Sequence, residues 1–247
     1  MAAIGANRYS WPMRLGILRQ LLDDYLEALE ALRGGSPGFV FGAAAAGLVL
    51  SWWLYVPVHE LLHAYGCLWT GGRVDRLEID AIYGARWLQA WFPFVHVGSD
   101  YAGQLTGFDT GGDDRVYLAT VCAPFVLTVF PGVAMLRWVT QMRRPVGAAF
   151  TLGAAVPLAY APLISLGGDF YEIGSIMVTR ALQALLPELD LDRWRSDDVI
   201  ALATSLPGGA SAGDVAGIGA SFLLGCVLAL ATYGLGRMVA SRIGIGR

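Results

Sequence analysis

The residues best equipped for chemistry are His59, Glu60 and His63, in the run His59-Glu60-Leu61-Leu62-His63. Histidines four apart share one face of a helix, so their rings converge, and the carboxylate beside them can take a proton from a water held there. That is the chemistry of a zinc-type ion activating a water. The setting sharpens it, because the run closes an apolar segment that carries no charge from about residue 38 to Glu60. Ionisable groups in such a segment are costly and mark a functional site by default. The plainer alternative is a buried polar cluster that only ties helices together.

A catalytic zinc normally takes three protein ligands and leaves a fourth position open. Beyond the two motif histidines the chain has only His96. Asp169 and Glu172 interrupt another apolar run and, three apart, share a helical face. Asp169 is the favoured third ligand: Pro157 and Pro162 loosen the chain ahead of Gly167-Gly168-Asp169, and broken helices are tolerated at membrane depth where they line a polar cavity. Glu172 is expected either to hold a ligand ring N–H or a water from behind, or to sit as an outward carboxylate at the membrane surface. His96 reads first as a satisfied interfacial histidine, and after that as a substrate-binding donor or an alternative ligand. Cys67 continues the row of His59 and His63, but eight residues of helix rise about 12 Å, too far for one ion to touch both His59 and Cys67.

The elements that must position these groups are membrane helices. Of the 247 residues 55% are hydrophobic and 15% charged, against about a quarter charged in soluble domains; the mean hydropathy is +0.53. The net charge of −3 gives no basic footprint for nucleic acid. Three cysteines, Cys67, Cys122 and Cys226, are an odd number in apolar surroundings and read as small buried hydrophobes. The pattern predicts an all-α polytopic membrane protein with four spans, at about 38–69, 116–138, 145–178 and 215–240.

Residues 1–37 form an amphipathic interfacial region: Leu15, Leu18, Leu22, Leu26, Leu29 and Leu32 recur at helical spacing, with Ser10 as a cap and Pro12 in the first turn. The insertion 71–115 is expected to hold a strand or hairpin from Arg73 to Ile82, a re-entrant turn, and an aromatic patch of Trp87, Trp91, Phe92 and Phe94. Residues 181–247 hold an acidic loop, a short helix from Val199 to Leu206 capped by Ser196, a flexible run from Pro207 to Gly213, and the fourth span. Its stripe of Gly213, Gly217, Ser221 and Gly225 suits close helix contact, within the chain or with a partner helix. Arginines at the ends sharing a side with the N-terminus (Arg8, Arg14, Arg19, Arg33, Arg137, Arg143, Arg144, Arg237, Arg242 and Arg247) are expected to place both termini on the inner side of the cytoplasmic membrane and the motif toward the outer face.

Over about residues 38–180 the chain resembles the site-2 protease family of intramembrane zinc metalloproteases, as a divergent member. The likeness rests on His59-Glu60-Leu61-Leu62-His63 in one span, Ala123-Pro124 in the next and Asp169 late in the one after; Phe170 follows the aspartate where the family's pattern has glycine. The resemblance implies one zinc per chain bound by His59, His63 and Asp169. It further implies Glu60 as general base in hydrolysing a peptide bond, in or near the membrane segment of a membrane-anchored protein or remnant peptide. An edge strand around Arg73 to Asp80 is expected to hold that segment extended. The second reading is a non-catalytic subunit or pseudoprotease that binds a partner's transmembrane helix; an intact Glu60 favours the enzyme.

Overall fold

The structure is a computed structural model and describes residues 16–185, 192–206 and 210–246; the Ser10 cap, Pro12, Leu15 and the run 207–209 lie outside these. Helix α1 (Gly16–Glu30) has three faces. Leu21, Asp24 and Ala28 are buried against the bundle, Leu18, Leu22, Leu26 and Leu29 are exposed, and Arg19, Asp23, Glu27 and Glu30 fill the remaining sector. Its polar anchor is Asp24, which accepts from Arg137 Nη1 at 2.9 Å and from the Tyr233 hydroxyl at 2.8 Å.

Helix α2 (Pro37–Trp69) begins with proline at its first position and runs 33 residues, about 50 Å. Gly71, at φ +100°, turns the chain into the insertion. There β1 (Arg73–Ile79), α3 (Ala85–Gln89), β2 (Val95–Val97) and β3 (Gly103–Asp109) build a three-stranded sheet of order β2-β1-β3. β2 is parallel to β1 and β3 antiparallel, so the strand expected at an edge is the central one and β3 carries a free edge. Leu77, Ile79 and Val95 close the sheet onto Ala64 of α2 and Ala85 and Leu88 of α3. The aromatic patch divides: Trp87 and Trp91 face outward, while Phe92 and Phe94 pack on this core.

The insertion folds back along α2. Its tip is held where the Trp53 indole donates to the Ile82 carbonyl at 2.6 Å and the Trp52 indole to the Tyr83 hydroxyl at 3.2 Å. From the end of α2 back to Trp53 is about 25 Å of helix, so the insertion returns alongside about half of α2.

The second apolar stretch, Asp114–Gln141, is 28 residues of helix with irregular turns at its prolines. Helix α4 (Asp114–Cys122) passes into a tight turn at Ala123–Phe125 and a wide turn at Thr128–Gly132, then α5 (Val133–Trp138). The third stretch is not one span. Helix α6 (Pro145–Ala159) stops after 15 residues, α7 (Ala161–Ile164) is one turn, and α8 (Asp169–Gln183) starts afresh. Pro162 has no N–H for the Leu158 carbonyl, which accepts from Thr128 Oγ1 at 2.7 Å instead. Among the described residues three helices, not four, are long and apolar enough to cross a membrane: Pro37–Trp69, Asp114–Gln141 and Ala212–Arg242.

Helix α9 (Val199–Ser205) is capped by Asp198 rather than Ser196; its carboxylate accepts from Ile200 N at 2.7 Å and Ala201 N at 3.1 Å, reaching two free N–H groups that Ser196 is too far back to reach. Helix α10 (Ala212–Arg242) opens with a reciprocal cap between Ser211 and Asp214, so the end of the glycine-rich run is ordered as a helix start. Of the small-residue stripe, Gly217, Ser221 and Gly225 are covered by the chain itself, while Gly213 is exposed. A Cβ on Gly225 would lie 2.5 Å from the Phe170 carbonyl of α8, and one on Gly217 2.4 Å from the Trp194 ring. Helices α2 and α6 touch as closely, since a Cβ on Gly153 would lie 2.0 Å from the Ala44 carbonyl oxygen.

Candidate metal centre

Helices α2 and α8, far apart in sequence, bring three groups to one point. His59 and His63 stand one turn apart on α2 with their Nε2 atoms 3.1 Å from each other. Asp169 opens α8, where the helix dipole favours a negative charge. Ser165 fixes it, donating its hydroxyl to Asp169 Oδ2 at 2.8 Å and accepting the Asp169 N–H at 3.1 Å. The carboxylate straddles the pair: Oδ2 is 3.4 Å from His59 Nε2, and Oδ1 is 3.6 Å from His63 Nε2.

These separations select among interpretations. Charge-assisted N–H···O bonds run about 2.7–2.9 Å, so 3.4 and 3.6 Å are too long for a direct ion pair of full strength. A tetrahedral ion with bonds of about 2.0–2.1 Å needs neighbouring ligand atoms roughly 3.3 Å apart, which the observed contacts straddle. One ligand atom from each residue fits within a 4.8 Å span, so the cluster can hold a metal ion.

The outer nitrogens set the tautomers. His63 Nδ1 lies 2.9 Å from the Thr120 carbonyl, which can only accept, so Nδ1 carries a proton and a neutral ring turns its Nε2 lone pair to the centre. His59 Nδ1 lies 2.7 Å from the Tyr55 hydroxyl, which can accept the same kind of bond.

Glu60 borders the centre on the side of the sheet. Gly103 of β3 passes directly against it, and a Cβ there would lie 2.5 Å from Glu60 Cγ. Glu60, His63, Asp169 and Glu172 line a cavity of about 700 Å³, walled by β3 and α4. Residues 197–201 roof it, held by Val199 N–H on the Gly167 carbonyl at 2.9 Å and by Gln104 Nε2 on Asp197 Oδ2 at 3.4 Å.

The remaining candidates separate cleanly. Glu172 is buried and accepts from the Tyr117 hydroxyl at 2.5 Å, which rules out an outward surface carboxylate; it holds a tyrosine of the cavity wall rather than a histidine ring. His96 lies in β2 across from Glu78, on the far side of β1 from β3, and does not join the cluster. Cys67 is buried at the end of the α2 row with its thiol 3.5 Å from the Arg73 carbonyl, and all three cysteines are free. Cys122 is exposed rather than buried. Tyr55, Ser165 and the Thr120 carbonyl were not anticipated. Tyr55 precedes the candidate ligand His59 by four residues on one helix, so the same face rule that pairs the histidines would have found it, whereas Ser165 and Asp169 lie across the turn between α7 and α8.

Comparison with protein-family models, curated proteins and solved structures finds no match to this chain.

Proposed function

We propose that this chain is an intramembrane metallopeptidase of the site-2 protease type, with zinc held by His59, His63 and Asp169. The observation that carries the reading is the convergence of the two Nε2 atoms and one carboxylate within a 4.8 Å span, beside Glu60 and at the wall of a large cavity. When bound, zinc lowers the pKa of a water toward 7 and polarises a carbonyl. Glu60 takes the proton of the attacking water and passes it to the leaving amine. The free edge of β3, rather than the strand from Arg73 to Asp80, pairs with an unwound substrate segment and lays its backbone along the cavity. Gly103 keeps side-chain bulk off that approach to Glu60. The substrate is a membrane-anchored protein or a remnant peptide, and the arginine distribution orients both termini toward the cytoplasm.

A second reading, a non-catalytic subunit binding a partner's helix, draws on an apolar groove of about 330 Å³ between α2 and α6, bordered by Leu54, Tyr55 and Phe150. Elemental mass spectrometry on purified protein, with a cleavage assay on reconstituted model substrates, separates the two. The expected result is near one zinc per chain, lost in Asp169→Ala and kept in His96→Ala, with cleavage lost in Glu60→Gln. Wild-type protein that carries no metal would sink the enzyme and leave the helix-binding reading.

A further inference from the structure

In a regular α-helix the Thr120 carbonyl would accept the N–H of residue 124. That residue is Pro124, which has no N–H and whose ring crowds the carbonyl four residues back. The Ala123 N–H does not substitute, since it bonds to the Ala119 carbonyl. The Thr120 carbonyl, buried at membrane depth, thus lacks its helical donor and must find another. The donor it finds is His63 Nδ1–H, at 2.9 Å.

Helix α2 is shaped to let this happen. Gly66 lies one turn beyond His63, and a Cβ there would come within 2.6 Å of the Ala119 carbonyl and 3.0 Å of Thr120 Cα. Only a residue without a side chain allows the two backbones so near.

We infer that Pro124 is a positioning residue of the metal centre: by deleting one helix hydrogen bond it hands the Thr120 carbonyl to His63, locking the ring with Nε2 turned toward Asp169. The inference rests on the metal-centre reading above. The chain supplies its own control, because Pro162 frees the Leu158 carbonyl in the same way, and there the donor is Thr128 Oγ1, remote from the cluster.

The chain contains three histidines, so histidine-selective ¹⁵N NMR in detergent resolves each imidazole. In metal-free wild type one ring, absent from His63→Ala, is expected purely as the Nδ1–H tautomer. In Pro124→Ala that ring becomes a tautomer mixture, and zinc affinity measured against a chromophoric chelator falls roughly 10–100-fold, the usual cost of losing a group that orients a metal-binding histidine. Pro162→Ala leaves the His63 ring purely Nδ1–H, since that proline frees a carbonyl remote from the ring. A Pro124→Ala protein that keeps the pure Nδ1–H ring and its zinc affinity overturns the inference. If that variant does not fold, wild type decides alone, since a His63 ring that is not Nδ1–H overturns it equally. Wild type that binds no zinc overturns the metal-centre reading instead, whatever the proline variants do.

Discussion

Two buried clusters of ionisable groups lie in this bundle, and they settle the cost of burial in opposite ways. Around Asp24 both oxygens have a donor, Arg137 at 2.9 Å and Tyr233 at 2.8 Å, and Arg237 adds an ion pair at 3.5 Å. Arg137 reaches on to the Gly246 carbonyl, so α1, α5, α10 and the chain end are tied together. Around His59, His63 and Asp169 the His63 Nε2 and the carboxylate face inward as acceptors, His63 Nδ1 donates away to the Thr120 carbonyl, and His59 Nδ1 meets the Tyr55 hydroxyl, which can accept from it. The carboxylate of the first cluster is satisfied by the protein itself, although Arg137 Nε and Arg237 Nη1 have no hydrogen-bond partner. The second can hold a metal ion, which distinguishes a candidate site from an anchor of the fold.

The largest effect that can break this contrast lies beside the open cluster. Glu60→Gln keeps zinc and should lose about 10²–10⁴-fold in cleavage rate, the usual worth of a positioned acid or base; cleavage at the wild-type rate in proteoliposomes would remove Glu60 from the chemistry. Next comes the closed cluster. Asp24→Ala leaves two arginines without their carboxylate and should cost about 3–5 kcal/mol in reversible denaturation, with zinc content unchanged. The matching change, Asp169→Ala in metal-free protein, should cost only about 1 kcal/mol, because it strands one neutral donor, the Ser165 hydroxyl, and no charged group. Equal losses at the two aspartates would erase the distinction.

Smaller effects sharpen it. Tyr55→Phe retains the ring but not the acceptor for His59 Nδ1, and zinc affinity should fall roughly 10–100-fold in a chelator competition. Thr128→Val leaves the Leu158 carbonyl without its hydroxyl donor; a loss of about 1–3 kcal/mol in stability is expected, with no change in zinc affinity. A shift in affinity there would show that the broken third stretch is coupled to the centre.

What was legible in the sequence is what one turn of helix encodes. The histidine pair, the glutamate between them, the break ahead of Asp169 and the start of α2 at Pro37 all follow from spacing or from the missing N–H of proline. What was not legible depends on segments meeting from a distance. β3 pairs with β1 across the whole insertion, so nothing local to Arg73–Asp80 announces that this strand is central. The break was expected to loosen a span, yet Pro157, Pro162 and the paired glycines act together and divide it into three helices. Ser196 lost the cap of α9 to Asp198, two residues on, whose carboxylate reaches two N–H groups. Glu172 met Tyr117 from another helix, a contact that no i,i+3 or i,i+4 rule could supply.

The tip of the insertion carries a consequence for how the protein is made. Its carbonyl and hydroxyl dock on Trp52 and Trp53, residues that leave the ribosome well before Ile82 and Tyr83. The docking surface is on α2, so the insertion seats only once that helix has formed. It then folds back along α2, against the direction of synthesis. Folding here is therefore ordered, and the wall that β3 gives to the cavity closes only after α2 is in place.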